Sequence, residues 1–307
     1  MNATIMPNPY EKPYLRYLIL LELIITQINY PIVIILNLRT LFYLKCSAIS
    51  DRVRLAPILQ CHLWVWLFVA CATLVNNIYM LAFWRIDETI YEPKFFFISA
   101  GVYICVQALP AVVLFYSTIE RCLIFKYGLT KHLKQVQYCL LALCIFSMSG
   151  IAGNIIEALI YSAPNPFPAT TECMAPGCMS RAANDRLNAT RITIAMINLI
   201  AGFILYYFIR NSHLFTPGKN HTFFAKLTMR ALFFQTASDL IIHGIAYAVS
   251  IFFNDSASNL LGIYPRMFSS TDGLICGIIY AFTIKKIQRR TNPNNVQKAN
   301  SSFTRIS

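Results

Sequence analysis

The sequence predicts an all-α membrane protein: a bundle of seven transmembrane helices, N-terminus outside and C-terminus cytoplasmic. Three observations carry that expectation: the composition, a series of apolar runs, and the placement of Lys and Arg. Of 307 residues, 57% are hydrophobic and only 13% charged, against roughly 25% charge in a soluble domain. Mean hydropathy is +0.53. A bilayer-spanning helix needs about 20 mostly apolar residues. Seven stretches qualify or come close: residues 15–44, 55–83, 95–125, 136–161, 192–209, 231–253 and 267–284. The last is the weakest, being short and containing Asp272.

Orientation follows from the positive-inside rule. With the N-terminus outside, the cytoplasmic segments hold eighteen of the 26 Lys and Arg residues. The external segments hold the other eight, balanced by seven acids. The net charge of +13 is dispersed between spans, so it points to this topology and not to nucleic acid.

In chain order, residues 1–14 form a polar external N-terminus without an apolar signal-peptide core, so the first span itself must target the membrane. The long external loop, residues 162–191, contains Cys173 and Cys178. On an oxidising face these two either close a local disulfide, remain free thiols, or give one partner to the third span. Asn2, Asn188 and Asn254 begin external glycosylation triplets, whereas Asn220 and Asn300 begin internal ones, so the triplets do not decide topology. Residues 285–307 form a cytoplasmic tail, and its basic start suits a short amphipathic helix on anionic lipid. Roughly the last 15 residues read as disordered.

No nucleophile motif, phosphate-binding glycine loop or metal-ligand cluster is apparent, and the ten cysteines show no metal spacing. The expectation is therefore a non-enzyme without metal or cofactor. The informative residues are charges within spans, which are costly in hydrocarbon and tend to face the bundle interior. Glu120 and Arg121 close the third span: either a switch in which Glu120 restrains Arg121 until the helices part, or an arginine snorkelling to the headgroups. Asp239 and His243, four residues apart, share one face of span six. His243 either titrates or hydrogen-bonds in the core, and Asp239 is expected to face span seven. Glu22, Glu157 and Asp272 either contact a ligand or bond between helices. The structural role is preferred for the first two and the pocket for Asp272. Tyr103 and Gln107 lie in the outer half of span three, beside a kink expected at Pro110.

Seven spans with Glu120-Arg121 ending the third resemble a G-protein-coupled receptor. Asn37 sits where rhodopsin-like receptors bury an Asn, and Cys276-Gly-Ile-Ile-Tyr280 falls at their Asn-Pro-x-x-Tyr, keeping the Tyr. The chain lacks their span-two Asp, span-four Trp, span-five Pro and span-six Cys-Trp-x-Pro, along with the Cys at the outer end of span three. This pattern is similar to the nematode serpentine chemoreceptors. Leu20-Leu-Glu22-Leu, Asn37-Leu-Arg and Ile119-Glu-Arg121 look most like the Sre and Sra group.

The resemblance implies a multi-pass receptor in the plasma membrane of a sensory neuron or cilium. It implies a heterotrimeric G protein at the cytoplasmic face, switched by Glu120, Arg121 and Tyr280. An external small-molecule or peptide ligand would lie near Tyr103, Gln107, His243 and Asp272, with membrane lipids as the surrounding partner. Two other readings stand beside it: a small transporter or channel using Glu22, Glu157, Asp239 and Asp272 as an ion pathway, and a non-signalling protein that assembles receptors.

Overall fold

In the computed structural model the described residues are 13–46, 57–85, 91–127, 133–163, 180–211, 219–252 and 264–291. They form eight helices: α1 (Pro13–Cys46), α2 (Pro57–Phe83), α3 (Pro93–Gln107), α4 (Leu109–Tyr127), α5 (Leu133–Ser162), α6 (Arg181–Arg210), α7 (Lys219–Phe252) and α8 (Tyr264–Thr291). α3 and α4 follow one another as a single span, so among the described residues seven segments are long and apolar enough to cross a membrane. At 1.5 Å per residue, a 30-residue helix such as α5 is about 45 Å long, well beyond the ~30 Å hydrocarbon layer.

Hydropathy marks where a helix crosses hydrocarbon, not where it begins. The helix of the fifth span, α6, starts at Arg181 rather than Ile192, and that of the sixth, α7, at Lys219 rather than Ala231. Residues 181–191 of the expected 162–191 loop are thus helical. Ser180 opens α6 as its N-cap, its hydroxyl accepting from the Ala183 N–H at 3.2 Å. Glu92 does the same for α3, its carboxylate accepting from the Lys94 and Phe95 N–H groups, with Pro93 at the first helical position. The helix of the seventh span, α8, runs unbroken to Thr291. Residues 285–291 therefore continue α8 and do not make the separate short helix expected of them; no Gly or Pro lies between Ile284 and Thr291 to end it.

Span three is the centre of the bundle. In its most apolar window 78% of residues are buried, against 50% for the next most enclosed span. Outward-facing positions are apolar all round, with Phe146 78% and Phe282 71% exposed; contiguous apolar surface of this extent suits lipid. Inside, Tyr30, Val33, Trp66, Val69, Val106 and Val113 share one cluster. Three buried threonines are satisfied locally: Thr26, Thr73 and Thr118 donate to the carbonyls four residues back at 2.7, 2.7 and 2.9 Å. Glycine permits close approach where α6 meets α7, since a Cβ on Gly202 would lie 3.0 Å from Leu232.

A buried polar cluster and the Glu120–Arg121 pair

The α3–α4 junction organises the first site. Pro110 has no N–H to give the carbonyl four residues back, and the helix breaks at Ala108, whose N–H turns to Val106. The Gln107 carbonyl, at the end of α3, lacks an intrahelical partner. The guanidinium of Arg191 in α6 takes that role: Nη1 donates to the Gln107 carbonyl while Nη2 donates to Asp239 Oδ1 in α7. Arg191 and Asp239 are each 1% exposed. One ion pair thus ties α6 to α7 and clamps the break in span three. In hydrocarbon such side-chain bonds supply what irregular backbone requires.

The neighbouring turns repeat the pattern. His243, one turn beyond Asp239, pairs through Nδ1 with Asn188 Oδ1 at 2.8 Å. Ser238 donates to Asp272 of α8 at 2.9 Å. The guanidinium of Arg266 lies 4.6 Å from the centre of the Tyr103 ring, and its Nη1 donates to Met80 Sδ at 3.3 Å. Asn76 reaches Ser99 at 2.8 Å, Asn77 reaches Gln27 at 2.8 Å, and Asn29 reaches Ser270 at 3.0 Å. Of the four residues expected near a ligand, Tyr103, Gln107 and His243 each touch the cluster through these bonds, as does Asp272; all four are buried.

Several expectations need correction. Asp239 faces Arg191 of α6, not span seven, because a cation within reach outcompetes any neutral neighbour. Arg191 and Arg266, counted among external charges, are buried in the bundle. Asn188, expected as a glycosylation candidate, is 2% exposed and its carboxamide is bonded to His243, an arrangement without room for a glycan. Glu157 pairs at 2.9 Å with Arg186, which also donates to Asn154; both partners are largely exposed, where such a pair contributes ~0–1 kcal/mol. Glu22 is buried in α1. Asn2, Cys173, Cys178 and Asn254 lie outside the described residues.

The Glu120–Arg121 pair sits at the opposite end of span three, near the close of α4. Both side chains are buried, and Arg121 Nη2 lies 3.8 Å from Glu120 Oε2. The other carboxylate oxygen, Oε1, accepts from Gln137 of α5 at 2.5 Å. Arg121 is therefore folded into the bundle, not snorkelling outward. Asn37 of α1 is also buried, its carboxamide oxygen beside Gly277 of α8.

Toward the same end, the Tyr280 hydroxyl pairs with His62 Nδ1 of α2 at 3.0 Å, their rings edge-on 5.6 Å apart. His62 Nε2 has no partner, so this bond is the imidazole's only polar satisfaction. Tyr280→Phe is expected to destabilise the protein by about 1–3 kcal/mol, because it orphans a buried nitrogen. Thermal unfolding in nanodiscs checks this, and an unchanged Tm would show that the bond contributes nothing net.

A groove of about 240 Å³ lies between α1 and α8, away from the polar cluster. Its lining includes Leu36, Arg39, Tyr43, Phe282 and Lys285. Apolar walls with two cations at the rim suit a membrane lipid, so this cavity is set apart from the polar interior.

Fold and interior define the class: a seven-helix membrane protein whose central span is polar-clamped at one end and closes on an acid–base pair at the other. No protein-family model matches the chain, and no curated protein matches it.

Proposed function

We propose that this protein is a seven-helix, G-protein-coupled chemosensory receptor. The observation that carries the reading is span three itself. One helix line, the most buried in the bundle, bears Tyr103 and Gln107 within the polar cluster at one end and the buried Glu120–Arg121 pair at the other. A ligand that rearranges the Arg191–Asp239–Gln107 junction alters the packing of α6 and α7 against span three. Arg121 is then released from Glu120 toward a heterotrimeric G protein. Such coupling is limited to the ligand's preference for the active state.

Topology supports the reading. Burial removes Arg191 and Arg266 from the outer tally and Arg121 from the inner one, leaving seventeen basic residues inside against six outside. That asymmetry favours an external N-terminus; on this reading the polar cluster is on the ligand-facing side of a plasma membrane, in a sensory neuron or cilium by resemblance. The ion-pathway alternative is weakened by two of its acids, since Glu157 is at the exposed surface with Arg186 and Asp239 is closed by Arg191.

The test is nucleotide exchange on a promiscuous Gα in cells with matched surface levels. Wild type is expected to drive basal or odorant-stimulated exchange, and Arg121→Ala to lose at least about tenfold of it. Exchange unaffected by Arg121→Ala removes the switch, and silence together with ion flux in liposomes moves the protein to the transporter class.

A further inference from the structure

We infer that Arg266 is the recognition group for an organic carboxylate, a monoacid with a small apolar body. This rests on the receptor reading only in taking the Arg266 end of the bundle as the side open to ligand. Arg266 is 1% exposed and is carried on the first turn of α8. Its Nη1 is engaged by Met80 Sδ, and its Cζ lies over the Tyr103 ring. Its Nε and Nη2 have no hydrogen-bond partner, and no carboxylate among the described residues forms an ion pair with it.

Those two atoms are not an arbitrary pair. The Nε and Nη2 hydrogens point in parallel from one edge of the guanidinium, matching the two oxygens of a carboxylate. The edge that accepts an acid side-on is thus the one without a hydrogen-bond partner, while the remaining nitrogen is engaged by Met80. Buried charge in a membrane bundle is ordinarily paired, and buried polar atoms without partners are few and call for an explanation such as a missing ion. The contrast with Arg191 is direct: that guanidinium already holds Asp239 and the Gln107 carbonyl.

The surroundings define the rest of the ligand. Met80 belongs to an apolar cluster with Ile19, Leu23, Tyr91 and Phe96, and Tyr103 presents its ring. An acid with an apolar body finds its charge met by Arg266 and its body met by these side chains. An amine meets an uncompensated positive charge, and an amide offers one acceptor where the fork provides two donors.

The experiment uses the full chain in nanodiscs of uncharged lipid, reading thermal unfolding against acetate, butanoate, hexanoate and benzoate. Benzamide, benzylamine and sodium chloride at equal ionic strength are the controls. At least one carboxylate is expected to give a saturable rise in Tm that the controls do not. Arg266→Met is expected to abolish that rise, and Arg266→Lys to weaken it by about tenfold or more in half-maximal concentration, since a point charge lacks the fork. Without ligand, Arg266→Met should unfold at the wild-type temperature or above it, because it removes an unpaired buried charge.

An equal response to chloride overturns the carboxylate assignment. So does a panel without effect, or a fall in unliganded Tm for Arg266→Met, which would make Arg266 a structural cation–π partner of Tyr103. Failure here is separable from failure of the receptor reading. Carboxylate binding without nucleotide exchange keeps this site and removes the receptor. Exchange driven by neutral or cationic odorants, with no carboxylate shift, keeps the receptor and removes this site.

Discussion

Asp239→Ala is expected to leave the protein at a small fraction of wild-type surface level. The substitution strips Arg191 of its carboxylate partner while leaving the guanidinium 1% exposed between α6, α7 and the broken span three. Breaking one half of a buried ion pair costs about 3–5 kcal/mol, a large part of the total stability of most folded domains. The Gln107 carbonyl remains as a partner, but it carries only a partial charge. Asp239→Asn keeps an acceptor and should be intermediate. The double variant Arg191→Met with Asp239→Leu removes both charges and should recover most of the loss, since replacing such a pair with apolar residues is often neutral or stabilising. Cell-surface labelling and thermal unfolding in nanodiscs measure this. A double variant no better than Asp239→Ala would mean that the pair holds the α3–α4 junction through the Gln107 bond and not through charge balance.

That prediction was beyond the reach of the sequence, and the reason is instructive. The seven crossings are legible because hydrophobicity is a property of consecutive residues. The first third of α6 is not apolar: Arg181, Asn184, Asp185, Arg186 and Asn188 precede Arg191, and such a stretch reads as loop. A signal was nonetheless present. The buried positions Ala183, Leu187, Arg191, Ala195, Asn198, Gly202 and Leu205 recur every three or four residues, a helical stripe of small and polar groups. Small-residue stripes mark helix contacts in membranes, and this one reaches back to Ser180.

Other elements were out of reach in principle. That Asp239 and His243 share a face followed from their spacing, but the direction of that face depends on which neighbour supplies a cation. Gln137 meets Glu120 only because α5 folds against α4. Arg266 reads as a residue flanking the seventh span until α8 is seen to carry it beneath Tyr103. Spacing along one helix is local information, whereas partners between helices are tertiary.

Between the two ends of the bundle, α8 approaches α2 closely at Gly273. A Cβ at this position would lie 2.8 and 2.9 Å from Cζ3 and Cε3 of Trp66, itself 1% exposed. Trp66 packs edge-on against His62 one turn earlier, and His62 holds Tyr280. Two effects oppose each other in Gly273→Ala. Helix propensity favours alanine by about 1 kcal/mol, while overpacking a filled core costs about 1–3 kcal/mol. The steric effect should win, because the clash is with a rigid, buried indole that cannot shorten. Gly273→Ala is therefore expected to lower Tm, and Gly273→Val to lower it further. Trimming the partner should change the sign: Gly273→Ala in a Trp66→Phe background, where the ring is smaller, should cost less than in wild type, an interaction that a double-mutant cycle isolates. A Tm that rises with Gly273→Ala would show instead that α2 and α8 slide apart readily. The line from Gly273 through Trp66 and His62 to Tyr280 would then be too compliant to connect the polar cluster with the Glu120–Arg121 end.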